Sequence, residues 1–280
     1  MNRRFAISTD IHLNFVDVDG LTKFIDEIRA TSPDGLFLTG DISEGYVLAR
    51  HLEILYLGVQ KPIYFVCGNH DFYHSSTEKV RGDLARLHAR YPDIHYLRET
   101  VHALSATCAL VGVDGWADAR LGLPERGHIE LADWSLIKDY KDVQGHLSVH
   151  TRMTLAADYA DREARLLDRQ LLQAIKTHKK IVVLTHVPPF KGATWHEGKY
   201  SDDDWLPWFS CKAVGDVLAL HAEQYPEITF DVYCGHTHSL GVYEHFPNLI
   251  VHTNAAKYGR PKVAGVIDVD KRPPRAQVPR

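Results

Sequence analysis

Four cysteines in 280 residues, none in a Cys-x-x-Cys pair, give little from which to build a disulfide framework or a cysteine zinc site. Cys67, Cys108, Cys211 and Cys234 therefore read as reduced thiols of the core. No apolar run reaches the length of a membrane span. The amino terminus, MNRRFAISTDIHLNF, enters a strand and an acidic motif directly, without the apolar region of a secretory signal, so the protein is expected in the cytoplasm. A positive excess is missing too. The net charge of -4 and a pI near 6.5 deprive extended nucleic acid of a general attraction, while a small or local anionic substrate stays compatible. There is no internal repeat and no low-complexity linker.

What is present is a chain 45% hydrophobic and 24% charged, enough to bury a sizeable core as one α/β domain over about residues 1–270. FAIS, GLFLTG, IYFVCG, CALVGV, IVVLTH, FDVYCG, LIVHT and AGVIDV read as strands, several too continuously apolar to face water. Segments 20–30, 45–58, 77–91 and 151–178 carry helical spacing and are expected to cover the sheet. From Ile228 onward strands follow one another through short turns at Pro247-Asn248 and Tyr258-Gly259. That pattern predicts a second, more antiparallel sheet, and with it a two-sheet sandwich flanked by helices. Residues 116–150 and 190–210, polar and glycine-bearing, are expected as loop or cap insertions over one edge of the sheets. The stretch KRPPRAQVPR, 271–280, reads as a disordered tail.

The informative pattern is where acidic, amide and imidazole residues fall. Asp10 and His12 follow FAIST, Asp41 follows GLFLTG, Asn69 and His70 follow IYFVCG, His186 follows IVVLT, and His236 and His238 follow FDVYCG. In open α/β sheets the carboxyl ends of strands converge on one crevice, so groups far apart in sequence meet there. Gly40, Gly68 and Gly235 directly precede three of these positions and allow tight turns or a close approach of backbone to ligand. Carboxylate oxygens and neutral imidazoles suit first-row divalent metals, and the donors outnumber what one ion needs. Two ions are implied, with Asp41 the candidate bridge. A carboxylate bridge would set them about 3.5 to 4 Å apart, a spacing suited to phosphoryl chemistry.

Asp10-x-His12, Gly40-Asp41, Gly68-Asn69-His70-Asp71, His186 and Gly235-His236-x-His238 resemble the five ordered motifs of the calcineurin-like metallophosphoesterases, over about residues 8–238. Each motif alone recurs by chance, whereas five in order at strand ends do not. The resemblance implies that family's two-sheet architecture, with a metal site at the strand carboxyl ends. It implies that Asp10, His12 and His238 hold one ion, Asn69, His186 and His236 the other, and Asp41 both. Manganese, iron, nickel and zinc all suit such sites, and the nucleophile would be a metal-bridging hydroxide. His70 would then protonate the leaving oxygen or stabilise phosphoryl charge, with Asp71 orienting its ring. An isolated His12 or His186 would instead be read as a packing residue, and Asp71 alone as a cap of the helix near Ser75 to Glu78. His74, His128 and His196 are read as non-ligands, with His74 and His196 the nearest to exceptions.

All five tryptophans, Trp116, Trp134, Trp195, Trp205 and Trp208, fall outside the early strands, and a small core fixing the insertions is favoured over base stacking. The run Asp202-Asp203-Asp204 reads as a solvated loop. The resembled family includes protein phosphatases, nucleotide phosphodiesterases, nucleotidases and repair nucleases. Its serine/threonine phosphatases usually carry arginines beside the second and third motifs to clamp a phosphate dianion. Here Ile42-Ser43-Glu44 and Cys67 stand at those places. A small phosphodiester is therefore the expected substrate, with a monoester, a phosphoprotein or damaged DNA as alternatives within the family. A non-catalytic protein-binding scaffold of the same fold is the alternative outside it, disfavoured by the complete ligand set.

Overall fold

The computed structural model describes residues 3–126, 129–141 and 148–271. The tail beyond Lys271, and His128, lie outside the described residues. In chain order the elements are β1 (Arg4–Ser8), α1 (Val18–Ala30), β2 (Gly35–Thr39), α2 (Leu48–Val59), β3 (Ile63–Val66), α3 (Thr77–Arg90) and β4 (Ile94–Tyr96). There follow β5 (His102–Ala103), β6 (Cys108–Gly112), α4 (Asp133–Leu136), α5 (Lys138–Lys141), α6 (Val149–Ala174) and β7 (Lys180–Leu184). The remainder is β8 (Trp195–His196), β9 (Lys199–Tyr200), α7 (Leu206–Phe209), α8 (Lys212–Gln224), β10 (Thr229–Cys234), β11 (Gly241–Phe246), β12 (Leu249–Thr253) and β13 (Gly265–Asp268).

Strand periodicity builds the layers. Phe5, Ile7, Phe37, Tyr64 and Val66 face one way and meet Cys108, Leu110, Val182, Leu184 and Tyr233 of a second sheet, forming an apolar layer between the two. The alternate residues Ala6, Leu36, Leu38, Ile63 and Phe65 face outward against α1, α2 and α3. Ala109, Val111, Ile181, Val183, Phe230 and Val232 do the same against α6 and α8. Burial on both faces explains why these strands read as continuous apolar runs. Helices start where the sequence caps them: the side chains of Asp17, Ser76 and Ser148 accept from the amides of Gly20, Lys79 and Thr151.

The first sheet runs β13-β1-β2-β3-β4 and the second β11-β12-β10-β7-β6-β5. The second, more antiparallel sheet expected from Ile228 onward is mostly parallel and also takes in β5, β6 and β7. β10 pairs parallel with both β7 and β12, and among the described residues of this sheet only the edge strands β11 and β5 are antiparallel. The turn at Pro247-Asn248 does join antiparallel strands, but one of them is β11, whose polar, half-buried edge carries no strand signal. Asn248 donates to the carbonyls of Ala222, Tyr225 and Ile228, which seats the start of β12 beside β10. β13 crosses to the first sheet and pairs with β1.

The insertions hold more regular structure than expected, since 116–150 contributes α4, α5 and the first residues of α6, and 190–210 contributes β8, β9 and α7. Trp116, Trp134 and Trp208 are buried there, Trp134 and Trp208 in edge-on contact, as a packing core requires. Asp203 and Asp204 pair with Lys191 and Arg126. No described helix is long and apolar enough to cross a membrane, and all four cysteines are free and buried.

Candidate metal centre

Because β1, β2, β3, β7 and β10 run parallel within their sheets, the residues after their carboxyl ends share one crevice. Backbone bonds lock the loops together: Asp10 N–H donates to Gly40 O at 3.0 Å, His12 N–H to Asp41 O at 3.0 Å, and Gly235 N–H to His186 O at 3.0 Å. Five of the expected ligands hold left-handed backbone, with φ of 47° at Asp10, 41° at His12, 49° at Asp41, 67° at His236 and 55° at His238. Each such residue costs on the order of 1–2 kcal/mol, and clusters of this kind mark sites where side-chain aim outweighs local stability. Gly40 shares the conformation at φ 92°, and a Cβ on Gly235 would collide with Thr9 and Asp10.

Two groups of side chains have ligand atoms that all lie within 4.8 Å of one another: Asp10, His12, Asp41 and His238, and Asp41, His186 and His236. Asp41 belongs to both. Its Oδ2 faces His12 Nε2 at 3.8 Å, and its Oδ1 faces His186 Nε2 at 3.5 Å. Asn69 joins the second group through Oδ1, 3.2 Å from His186 Nε2.

Hydrogen bonds decide which atoms face inward. Nδ1 of His186 meets Thr39 O at 2.8 Å and Nε2 of His236 meets Trp208 O at 3.0 Å. A carbonyl accepts only, so those nitrogens carry the protons, and His186 Nε2 and His236 Nδ1 present lone pairs to each other at 3.2 Å. With Asn69 Oδ1 alongside, three electron-pair donors converge without a proton between them. A cation reconciles that arrangement, and carbonyl partners behind each ring are the usual outer support of metal-bound histidine.

The electrostatics agree. Burial pushes His12 and His236 down to about 3 and His70 to about 4, and lowers His186, so these imidazoles are neutral near pH 7. Burial opposes ionisation of Asp10, yet its bond to His238 and the surrounding rings hold it well below the usual carboxylate range. His238 is correspondingly raised against burial by that bond, 3.1 Å long. Burial, with the charges of Asp10 and Asp71, drives Asp41 well above the usual range. An isolated shared carboxylate there would tend to protonate, and only nearby positive charge would keep it ionised.

His70 stands beside both groups, its Nε2 3.8 Å from Asp41 Oδ2. Asp71 differs from expectation. Its carboxylate accepts from the amides of Ile42, Ser43 and Gly68 at 2.9, 2.8 and 2.9 Å, which ties the β2 loop to the β3 loop, and makes no bond to the His70 ring among the described residues. Nor does it cap α3, which Ser76 does. His74 and His196 belong to neither ligand group.

The sequence reading missed the residues that aim Asn69. Its Nδ2 donates to the hydroxyl of Tyr73 and to Asp133 Oδ2, both at 3.2 Å, and Tyr73 donates to the same carboxylate at 3.0 Å. Asp133 comes from α4, inside an insertion, and nothing in its local sequence distinguishes it. Arg120, Arg126 and Arg152, the arginines nearest the insertions, are held in ion pairs with Asp161, Asp204 and Glu130 at 2.7, 2.9 and 2.8 Å.

Comparison with known proteins matches a family model described as calcineurin-like phosphoesterase to residues 3–240. Among solved structures, a phosphopantetheinyl hydrolase from Mycobacterium tuberculosis is similar with a TM-score of 0.64 at 12% identity, covering 92% of this chain and 91% of that one. A dimetal phosphatase from Danio rerio gives 0.57 at 14% identity, covering 90% and 87%, and a protein of Thermus thermophilus gives 0.54 at 15%, covering 96% of both chains. At such identities the likeness is one of fold. No curated protein matches the chain in sequence.

Proposed function

Because the chain belongs to the calcineurin-like phosphoesterase family, whose members are metal-dependent phosphoric ester hydrolases, we propose that it is a dinuclear enzyme acting on a small phosphodiester. The single observation that carries the dinuclear reading is Asp41, whose two oxygens face separate sets of donors. Asp10, His12 and His238 would hold one ion, Asn69, His186 and His236 the other, and Asp41 both. When bound, such ions supply Lewis acidity toward the phosphoryl oxygens and lower the pKa of water. Thr39 O and Trp208 O keep His186 and His236 in the ligating tautomer, and Asp133 with Tyr73 keeps the Asn69 oxygen facing inward. His70, neutral at pH 7, presents a ring N–H that would donate to the leaving oxygen as negative charge grows on it.

The diester reading is supported by charge. A diester carries one negative charge, whereas a dianionic monoester gains most from bidentate arginines, and the three nearest the insertions are already engaged. The apolar layer shared by both sheets supports reading residues 1–270 as one domain carrying the two insertions. The four buried free cysteines support a reducing compartment such as the cytoplasm. The test is metal analysis of the purified protein, followed by turnover of diesters, monoesters and nucleotides with Mn(II), Fe(II), Ni(II) and Zn(II). Two ions per chain with diester turnover are expected, and a single ion bound without Asn69, His186 and His236 would defeat the dinuclear reading.

A further inference from the structure

Two large aromatic rings stand half-exposed over the metal-ligand cluster instead of in the core. Phe15, in the loop after β1, is 56% exposed, and Tyr258, in the loop after β12, is 48% exposed. They meet edge to face, centroids 5.4 Å apart at 88°. Tyr258 lies over His12 at 4.3 Å, close to parallel, with its ring 5.1 Å from His238 and 6.2 Å from His70. Large apolar side chains left open in a cluster, rather than singly, mark a surface that something covers. Here their place identifies the occupant. If His70 donates to the leaving oxygen, the leaving group must rest against His70. Of the aromatic rings beside His70, Tyr73 is buried and spoken for by Asp133, so the wall still open to a ligand is Tyr258 with Phe15.

Resting on the phosphoesterase reading above, we propose that Phe15 and Tyr258 form a leaving-group subsite, and that the preferred substrates are phosphate esters whose leaving group carries a flat aromatic or heteroaromatic ring. The site reads the ring by its face and sets no hydrogen-bond pattern, so selectivity is for planarity rather than for one compound.

Phenylphosphonate and methylphosphonate test this as competitive inhibitors of bis(4-nitrophenyl) phosphate hydrolysis by the Mn(II)-loaded enzyme. Both present the same anion to the metals, and only one presents a ring. Wild-type protein should bind the phenyl compound more tightly, and Phe15→Ala with Tyr258→Leu should shrink the ratio of the two inhibition constants by about tenfold, the scale of a lost ring stack. Tyr258→Phe keeps the ring and should keep the ratio, which separates stacking from a contact made by the hydroxyl. Metal content, measured in each variant, shows whether the His12 side of the site has survived. Equal weakening toward both phosphonates with metal content intact, or an unchanged ratio, would overturn the subsite while leaving the phosphoesterase reading in place. A wild-type enzyme that hydrolyses no ester with two ions bound would overturn both.

Discussion

Asp133 and Asn69 lie 64 positions apart in sequence, yet their side chains are hydrogen-bonded at 3.2 Å, so a residue of α4 outside every recognisable motif aims one of the proposed metal ligands. The bond spends the amide nitrogen of Asn69 and leaves its oxygen to face His186. Replacing Asp133 with Leu should weaken the second metal by about 10- to 100-fold, the usual cost of losing an outer partner. Equilibrium dialysis against Mn(II) would read this as loss of one ion of two. Simultaneous loss of both ions would show that Asp133 supports the fold instead of Asn69.

His70 and Asp71 are neighbours with separable duties. His70→Ala should lower turnover by about 10² to 10⁴ at unchanged metal content, since under the proposed function the ring donates to the leaving oxygen. Asp71→Ala strands three buried amides, and an unsatisfied buried group costs about 1–3 kcal/mol. Its first effect should be a lower melting temperature. A stable Asp71→Ala protein with His70-like loss of turnover would restore the expected role of Asp71 as the orienting partner.

The candidate site was legible in sequence because the proposed ligands fall at strand ends, and an apolar run followed by Asp, His or Asn survives in any linear reading. Tyr73, Asp133 and the carbonyl of Trp208 were not legible, because each acts through tertiary placement and carries no local pattern. The parallel character of the second sheet was hidden for a related reason. β11, with Glu244 and His245 on a half-exposed edge, lacks the alternation that announces a strand, and without it β10 and β12 look like consecutive hairpin strands.

The buried imidazoles contribute an acid sensitivity to the metal-free protein. In the folded chain His12 and His236 sit at about 3 and His70 at about 4, against about 6.5 when unfolded. Between pH 6.5 and about 4 the unfolded chain therefore binds protons that the folded chain refuses, and stability falls as pH falls through that window. His238, raised by Asp10, works the other way, and so do the carboxyls of Asp41, Asp71 and Glu163, which burial raises so that the folded chain protonates them at higher pH than the unfolded chain does. The imidazole contribution is therefore read as a difference: from about pH 7 to about pH 5, chelator-treated His12→Asn with His236→Asn protein should lose less melting temperature than chelator-treated wild type. An identical pH dependence in the two proteins would contradict the neutral assignment.

With Mn(II) present, bis(4-nitrophenyl) phosphate should be hydrolysed at a higher kcat/KM than 4-nitrophenyl phosphate, and phosphopeptides should be nearly inert. The reason lies in where the guanidinium groups are. Arg120 pairs with Asp161, Arg126 with Asp204 and Arg152 with Glu130, so a dianion entering the site gains no bidentate partner from the insertions. Changing each of the three to alanine should leave the diester to monoester ratio where it was. Arg260 is the sharper probe, because it is exposed in the loop that carries Tyr258 and makes no ion pair among the described residues. Steady-state curves for both esters, at one pH and one metal concentration, should show that Arg260→Ala alters the ratio little. A monoester preference in the wild type that disappears in Arg260→Ala would place the missing clamp in that loop and remove the ground for assigning a diester substrate.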